Sequence, residues 1–210
     1  MPSWDIENSF SGTVCGIDEA GRGPWVGPVA AGAVMFLRHD VSAELLQNLD
    51  DSKKLSAAKR ERLYDLLMKE AEAGNLLYGI GLASAAEIDE MNILQATFLA
   101  MTRAAEQLSI KPQLALIDGN RLPNRFLCSA QCYIGGDGRS YSIAAASILA
   151  KVYRDRLMQK MAEKYPYYGF EKNAGYGTKE HIAGIRAHGL TPEHRRSYKP
   201  IKQFLATGEI

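Results

Sequence analysis

Short apolar, β-branched runs alternate along the chain with longer segments of helical periodicity. The runs predict five strands, at Thr13–Asp18, Val29–Phe36, Leu76–Leu82, Leu114–Asp118 and Gln131–Gly135. Capping residues and three- and four-residue spacing predict helices from Ser56 to about Ala73, Ser84 to about Leu108, Ser142 to about Lys164, and Thr178 to His188. This order predicts an α/β fold with a helical C-terminal part.

Length and composition narrow the class of protein. The chain has 210 residues, 46% of them hydrophobic and 23% charged, which fits one domain with a substantial core and excludes wholesale disorder. The first residues lack the pattern of a signal peptide, and the apolar runs are too short to span a membrane. Three cysteines cannot form a closed disulfide framework. We therefore expect a cytoplasmic protein.

The net charge of +1 hides an asymmetry between the two parts of the chain. Residues 1–150 carry 13 Lys and Arg against 18 Asp and Glu, whereas residues 151–200 carry 11 against 5. This distribution indicates a polyanion that the basic part binds and the acidic part handles chemically. A solvated basic helix face is the alternative.

Acidic residues follow three of the predicted strands. Asp18-Glu19, Asp118-Gly119 and Asp137-Gly138 each come after an apolar run. Ligands of open α/β sheets collect at the carboxyl ends of strands, so these carboxylates are expected to converge, although a single Asp-Gly is usually a turn. Adjacent Asp18 and Glu19 can both serve one site only if the strand stops there.

A cluster of carboxylates needs protons or cations to offset its mutual repulsion. Oxygen ligands suit Mg²⁺ or Mn²⁺ rather than zinc, and two such ions can promote phosphodiester hydrolysis. The glycines of Gly21-Arg22-Gly23 let backbone N–H groups approach a sugar or phosphate closely. Val26 stands where a dinucleotide fingerprint needs a glycine, which excludes that motif.

Seven sequence blocks together resemble type 2 ribonuclease H (ribonuclease HII). They occur in the family's order and cover nearly the whole chain. They are Gly16-Ile-Asp-Glu-Ala-Gly-Arg-Gly-Pro24, Asp51-Ser-Lys-Lys-Leu-Ser56, Glu87-Ile-Asp-Glu-Met-Asn-Ile93, Leu116-Ile-Asp-Gly-Asn120, Gly136-Asp137, Ser142–Val152 with Arg154-Asp155, and His194-Arg-Arg-Ser197.

The resemblance implies a ribonuclease H-like mixed five-stranded sheet flanked by helices, in a single catalytic domain over residues 1–210. Residues of about 165–210 would form a helical substrate-binding extension. The implied activity is a two-metal endonuclease that uses Mg²⁺ or Mn²⁺, acts on RNA–DNA hybrids and cuts 5′ of single ribonucleotides in duplex DNA. Cleavage would leave 3′-hydroxyl and 5′-phosphate ends. We expect a monomer without membrane association, and the sequence does not identify a protein partner.

The resemblance also assigns roles to individual residues. The implied metal-binding and catalytic residues are Asp18, Glu19, Asp118 and Asp137. The implied substrate contacts are Gly21, Arg22 and Gly23 at the ribose 2′-OH, Lys53 at a phosphate, and Tyr176 at the sugar beyond the scissile step. One departure is Asn173-Ala174, which stands where the family usually has His-Lys and so lacks one possible phosphate contact.

Several other residues and two other functions stay open. Lys151 and Arg154 are expected on either a phosphate-facing or a solvated surface, Asp155 in an ion pair with a neighbouring arginine, and His181 at the surface or at a cap. The rival enzyme is another nuclease of the same fold, such as a junction resolvase. The alternative without enzymatic activity is a module that binds RNA–DNA hybrids and whose acidic turns are purely structural.

Overall fold

A mixed five-stranded sheet forms the centre of the computed structural model, which describes residues 1–210. The strands are β1 (Val14–Ala20), β2 (Val29–Phe36), β3 (Leu76–Ala83), β4 (Leu114–Asp118) and β5 (Ser129–Tyr133). Their order across the sheet is β3-β2-β1-β4-β5. The pairs β1–β2 and β2–β3 are antiparallel, whereas β1–β4 and β4–β5 are parallel. The predicted fold class is confirmed.

Eight helices accompany the sheet. They are α1 (Asp5–Asn8), α2 (Ala43–Asn48), α3 (Ala57–Glu72), α4 (Ala85–Glu106), α5 (Tyr141–Lys164), α6 (Phe170–Asn173), α7 (Lys179–His188) and α8 (Lys199–Thr207). The four long helices match the sequence prediction, including the capping box at Ser84 and Glu87. None combines the length and apolar character of a membrane span.

The long helices α4 and α5 cover opposite faces of the sheet. Ile88, Ala100 and Ala104 of α4 share one buried cluster with Ile17 and Ile117. The small side chains Ala144, Ala145 and Ala146 of α5 belong to a second cluster with Val34, Leu63 and Leu67. A Cβ added to Gly16 would lie 2.1 Å from the Ser142 carbonyl carbon, so the β1 backbone approaches α5 closely. The core therefore fixes β1 between two helices.

Two strands and one helix differ from the prediction by more than a single residue at an end. β5 begins and ends two residues earlier than predicted, since Gly135 adopts a left-handed backbone that ends the extended run. β1 continues through Ala20, paired with β2, instead of stopping at Asp18. The α4 segment is bent at Asn92 (φ 70°), whose Oδ1 accepts from the N–H groups of Leu94 and Gln95. This side chain caps the second helical piece.

The C-terminal helices pack on the chain that follows β1. Val26, Met158, Phe170, Ile185 and Ile201 form one buried cluster. The Arg195 N–H donates to the Trp25 carbonyl (2.8 Å), and the Gly27 N–H donates to the Glu193 carbonyl (2.9 Å). Residues 165–210 are thereby attached to the segment that carries Gly21-Arg22-Gly23.

Candidate active site

Two of the candidate carboxylates lie at the ends of the central parallel strands. The pairing of β1 with β4 runs from Val14 and Leu114 to Ile17 and Ile117, and the next residues are Asp18 and Asp118. Asp137 lies in a short 3-10 turn after β5. The Gly136 N–H donates to Asp118 Oδ1 (2.7 Å) and so attaches that turn to β4. The structure thus brings Asp18, Asp118 and Asp137 to one edge of the sheet.

Asp18 and Glu19 occupy different faces, because β1 does not stop at Asp18. Side chains two apart in a strand share a face, so Asp18 lies on the α5 side with Gly16. Glu19 takes the other side and lines a cavity of about 370 Å³ with Asp118 and with Thr97 and Phe98 of α4. The prediction that the strand ends at Asp18 is wrong. Glu19 reaches the site because β1 loses its β4 partner beyond Ile17.

The carboxylates raise one another's pKa values. Burial raises the pKa of Asp18 well above its ordinary value, and the charges of Glu19 and Asp118 add to that shift. Burial also raises the pKa of Glu19, although Arg22 at 3.2 Å opposes the shift. Burial and the charge of Asp118 raise the pKa of Asp137 to about 6. Negative charge is therefore in excess here.

The chemistry of this donor set fits a divalent cation. All four side chains offer carboxylate oxygens, which Mg²⁺ and Mn²⁺ prefer, and a cation would relieve their repulsion. No three His, Cys, Asp or Glu side chains are already grouped as ligands of one ion. A bound ion would therefore have to draw the carboxyl groups together.

Lys53 is placed beside the carboxylates by its own turn. Asp51 accepts a hydrogen bond from the Lys53 N–H (2.9 Å) and caps a 3-10 turn over Ser52–Lys54. The Ser52 N–H donates to Ser147 Oγ in α5 (3.3 Å). Burial works against the charge of Lys53, yet the carboxylates, Asp18 first among them, raise its pKa. Lys53 is therefore an exposed cation at the edge of the acidic cluster, on a backbone that the turn holds in place.

The glycine-flanked arginine borders a second cavity, of about 560 Å³. This cavity is lined by Glu19, Ala20, Gly21, Arg22, Gly23, Ser52, Lys53, Ile93, Lys151, Arg154 and Tyr176. All five predicted substrate contacts therefore share one cavity, with Glu19 at its edge. Gly21 has a φ of 94°, and a Cβ there would lie 1.9 Å from Arg154 Nε, so this position requires glycine.

Two buried arginines donate hydrogen bonds to the loop of residues 21–28 from the interior of the protein. Arg195 is fully buried and donates to the carbonyls of Gly21 (2.6 Å), Arg22 (2.9 Å) and Gly27 (2.9 Å). Arg154 donates to the carbonyls of Val26, Pro28 and Ala174, each at 3.1 Å. Neither makes an ion pair, so both cations are satisfied largely by backbone oxygens.

These contacts correct the prediction for the α5 surface. Arg154 does not lie on a solvated surface, because it is buried behind the loop, where it forms part of the wall of the second cavity. Lys151 donates to Asp155 (2.6 Å), which also lies 3.5 Å from Arg60. An ion pair at Asp155 was expected, but its partners are Lys151 and Arg60 rather than the neighbouring arginines.

Tyr176 is exposed and set by a turn that Asn173 organises. Asn173 is buried; its Nδ2 donates to the Tyr168 carbonyl (2.7 Å), and its Oδ1 accepts from the Gly175 N–H (2.8 Å). Ala174 has a left-handed backbone with φ 49°. At the position where the family usually has histidine, Asn173 therefore uses its side chain for hydrogen bonds within the protein.

A chain of hydrogen bonds through two buried histidines ends at Tyr176. The Thr191 N–H donates to His194 Nδ1 (2.9 Å), so the proton of His194 is on Nε2. That Nε2 donates to His181 Nε2 (3.1 Å), and His181 Nδ1 donates to the Tyr176 carbonyl (2.9 Å). The expectation of a surface or capping His181 is wrong, since the ring is fully buried. Both rings must be neutral for this pattern.

Acidification is expected to destabilise the protein through this pair. Burial lowers the pKa of His194 to about 3. The unfolded chain takes up a proton below about pH 6.5 while folded His194 does not, so the contribution of His194 to the unfolding free energy falls by about 1.4 kcal/mol per pH unit below that pH. Denaturant unfolding between pH 7 and 5 should show a shallower decline for His194→Gln than for the wild type. Parallel curves would contradict this, and His188→Gln, at an exposed histidine, is the matched control.

Comparisons with known proteins agree with this geometry. A family model described as Ribonuclease HII matches residues 15–201. The chain is 52% identical over 210 residues to Ribonuclease HII of Rhodospirillum rubrum, covering 100% of this chain and 94% of that one. It is 50% identical to Ribonuclease HII of Paramagnetospirillum magneticum, over 98% of this chain and 99% of the relative.

Solved structures show the same fold. The crystal structure of the ribonuclease H2 from Pyrococcus horikoshii matches with a TM-score of 0.72 and 28% identity, over 91% of this chain and 96% of that chain. Ribonuclease HII in a complex with PCNA from Archaeoglobus fulgidus matches with a TM-score of 0.62 and 26% identity, over 94% and 91%. Bst-RNase HIII in complex with Mn²⁺, at 19% identity and a TM-score of 0.71, covers 93% of this chain and 70% of that one.

Proposed function

The chain belongs to the ribonuclease HII family, and from that premise we propose that it cuts RNA–DNA hybrids and cleaves 5′ of single ribonucleotides in duplex DNA. The family membership makes the protein a metal-dependent ribonuclease. The supporting observation is the position of one cavity, lined by Gly21, Arg22, Gly23, Lys53 and Tyr176, beside the carboxylate cluster.

Asp18, Glu19, Asp118 and Asp137 would hold the divalent cations. When bound, Mg²⁺ or Mn²⁺ supplies positive charge for the attacking water and for the leaving oxygen in an in-line displacement. The excess negative charge of the carboxylates and their oxygen-only chemistry support this assignment. Lys53, at the edge of the cluster, would contact a substrate phosphate as a point charge.

The loop of Gly21, Arg22 and Gly23 would recognise the ribose. The Arg195 guanidinium donates to the carbonyls of Gly21 and Arg22 from the protein side, which leaves the other face of the loop on the cavity. Backbone groups on that face would bind the 2′-OH, the group that distinguishes RNA from DNA. The 2′-OH is then recognised without acting as the nucleophile, so cleavage leaves 3′-hydroxyl and 5′-phosphate ends.

Tyr176 would pack on the sugar that follows the scissile step. Its side chain is 53% exposed and borders the same cavity as Gly23. An aromatic ring packs closely on a deoxyribose, which lacks the 2′-OH, and so favours DNA at that position. In this proposal residues 165–210 are a substrate-binding extension of the single catalytic domain.

Cleavage of three duplexes tests the function. The first carries one ribonucleotide in DNA, the second is a full RNA–DNA hybrid, and the third is all DNA. We expect the first two to be cut with Mg²⁺ or Mn²⁺, the first on the 5′ side of the ribonucleotide, and none to be cut in excess EDTA. Cleavage of all-DNA junctions would favour a junction resolvase, and metal-independent binding without cleavage would favour a binding module. Full activity in EDTA would exclude the metal-dependent mechanism.

A further inference from the structure

The N-terminal segment, through Ser3, is hydrogen-bonded to the backbone that directly follows the turn carrying Asp137. The Ser3 N–H donates to the Arg139 carbonyl (3.1 Å), and the Tyr141 N–H donates to the Ser3 carbonyl (3.4 Å). These two bonds run on either side of Ser140, which leads from the 3-10 turn into α5. The matched family region begins at residue 15, so the N-terminal side of this contact lies outside it.

Glu7 adds a buried carboxylate to the same place. Its Oε1 accepts from Ser140 Oγ (2.6 Å), Ser142 Oγ (2.7 Å) and the Ser142 N–H (3.0 Å). Ser140 and Ser142 are almost completely buried, and Glu7 itself is 7% exposed. Three donors from two residues therefore converge on one oxygen.

The other carboxylate oxygen of Glu7 has no partner. Oε2 is buried and accepts no hydrogen bond. An unsatisfied buried acceptor costs stability, and α5 already has a capping residue, since Ser140 Oγ accepts from the Ile143 N–H (3.2 Å). Capping of α5 therefore does not by itself require a buried carboxylate at Glu7. The positive end of the α5 dipole does favour a negative charge at this place.

The Asp137 turn is held from two sides. On one side the Gly136 N–H donates to Asp118 Oδ1 (2.7 Å), and on the other Ser140, four residues later, is fixed by Glu7. Within the turn, the Ser140 N–H donates to the Gly136 carbonyl (2.9 Å). Asp137 lies between these two attachments, so loss of either one would free its backbone.

We propose that Glu7 is a positioning residue that fixes the Asp137 turn through Ser140 and Ser142, and so sets the distance from Asp137 to Asp118. The inference rests on the proposed function for the role of Asp137 as a cation ligand. A ligand whose supporting residues are removed holds its ion more weakly, because the ion must then order the loop as well.

The test measures Mn²⁺ binding directly, by calorimetry, for the wild type, Glu7→Ala and Asp5→Ala. Asp5 is the matched control, since it is an exposed acidic residue of the same short helix. We expect Glu7→Ala to weaken Mn²⁺ binding roughly tenfold or more, in line with losses at residues that support metal ligands. Hydrogen exchange of the 136–140 amides should become faster in Glu7→Ala alone, and Asp5→Ala should match the wild type in both measurements.

Each outcome decides the matter. A Glu7→Ala protein that is less stable but binds Mn²⁺ as tightly as the wild type overturns the proposal and leaves Glu7 a structural cap. If Glu7→Ala does not fold, Glu7→Gln and Ser142→Ala replace it. Glu7→Gln keeps an oxygen that can accept from the same donors and should bind Mn²⁺ nearly as tightly as the wild type, whereas Ser142→Ala loses the hydroxyl donor and should bind it more weakly. Wild-type affinity in Ser142→Ala overturns the proposal. A wild-type protein that binds no Mn²⁺ overturns the proposed function itself, and this inference with it.

Discussion

Asp18→Asn is expected to lower cleavage by roughly a thousandfold or more while it stabilises the protein. A cation at such a site contributes several kcal/mol to the transition state, and about 1.4 kcal/mol corresponds to a factor of ten in rate. The amide keeps the size of the side chain and can still accept from the Glu19 N–H, as Asp18 Oδ1 does at 2.7 Å. The substitution therefore removes the charge and preserves the local contact.

The gain in stability follows from the sign of the pKa shift. Because burial and neighbouring carboxylates raise the pKa of Asp18, the folded state holds this proton more tightly than the unfolded chain. At neutral pH the ionised group therefore destabilises the fold, and stability rises as the pH falls toward the raised pKa. The neutral side chain of the Asp18→Asn variant lacks this penalty.

Thermal unfolding of Asp18→Asn measures the expected gain in stability, and cleavage of the single-ribonucleotide duplex measures the expected loss of activity. At neutral pH without metal, the melting temperature should rise by about 2–4 °C for each kcal/mol gained. Asp89→Asn is the control for loss of a carboxylate elsewhere: Asp89 accepts from the Arg196 and Ser197 N–H groups, away from the cluster. Near-normal cleavage by Asp18→Asn would mean that the site is elsewhere.

Arg195→Lys is expected to lower kcat/KM on ribonucleotide substrates roughly a hundredfold. Lysine keeps the charge but cannot reach the carbonyls of Gly21, Arg22 and Gly27 together, because its donors lie on one atom. A displacement of about 1 Å in a positioning element is enough for a loss of that size. Removing a buried network also costs stability, so the assay temperature must be well below the melting temperature.

The control for this variant is Arg196→Lys, at the exposed arginine next in the chain. It should leave both kcat/KM and the melting temperature unchanged. Mn²⁺ affinity should stay close to that of the wild type in both variants, since Arg195 holds the loop for which we propose ribose recognition and donates to none of the four carboxylates. A destabilised Arg195→Lys with wild-type kcat/KM would show that the loop keeps its shape without this support.

Local patterns were enough to predict the sheet and its principal helices. The strand Val29–Phe36 and the strand Leu114–Asp118 have the predicted bounds, because each is a short apolar run with a charged residue or a glycine within two positions of its end. The bend at Asn92 was missed, since its backbone is stabilised by the residue's own side chain within an otherwise helical pattern. The four short helices carry too few residues for a periodicity to be recognised.

The sequence also indicated that the candidate carboxylates lie at one edge of the sheet, but it did not indicate the residues that support them. Asp18 and Asp118 follow apolar strands, a signal that can be read locally. Arg195 and Arg154 act on residues more than a hundred positions away through backbone carbonyls that any residue would supply. Glu7 acts over a similar separation, mainly through the hydroxyls of Ser140 and Ser142, which no local pattern links to it. The only signal for Arg195 was that the block His194-Arg-Arg-Ser197 and the block with Gly21-Arg22-Gly23 both belong to the family resemblance. Nothing in the sequence pointed to Glu7.

The pairing of β1 with β4 has a consequence for synthesis of the protein. Val14 pairs with Leu114, so the ribosome must make about a hundred residues before the second edge of β1 can be covered. Until then the nascent β1–β2–β3 meander presents an apolar strand edge, which is where chains aggregate or recruit chaperones. A product released before residue 118 contains Asp18 and Glu19 without their partners, so incomplete chains cannot assemble the carboxylate cluster. Nuclease activity is thereby tied to completion of the chain.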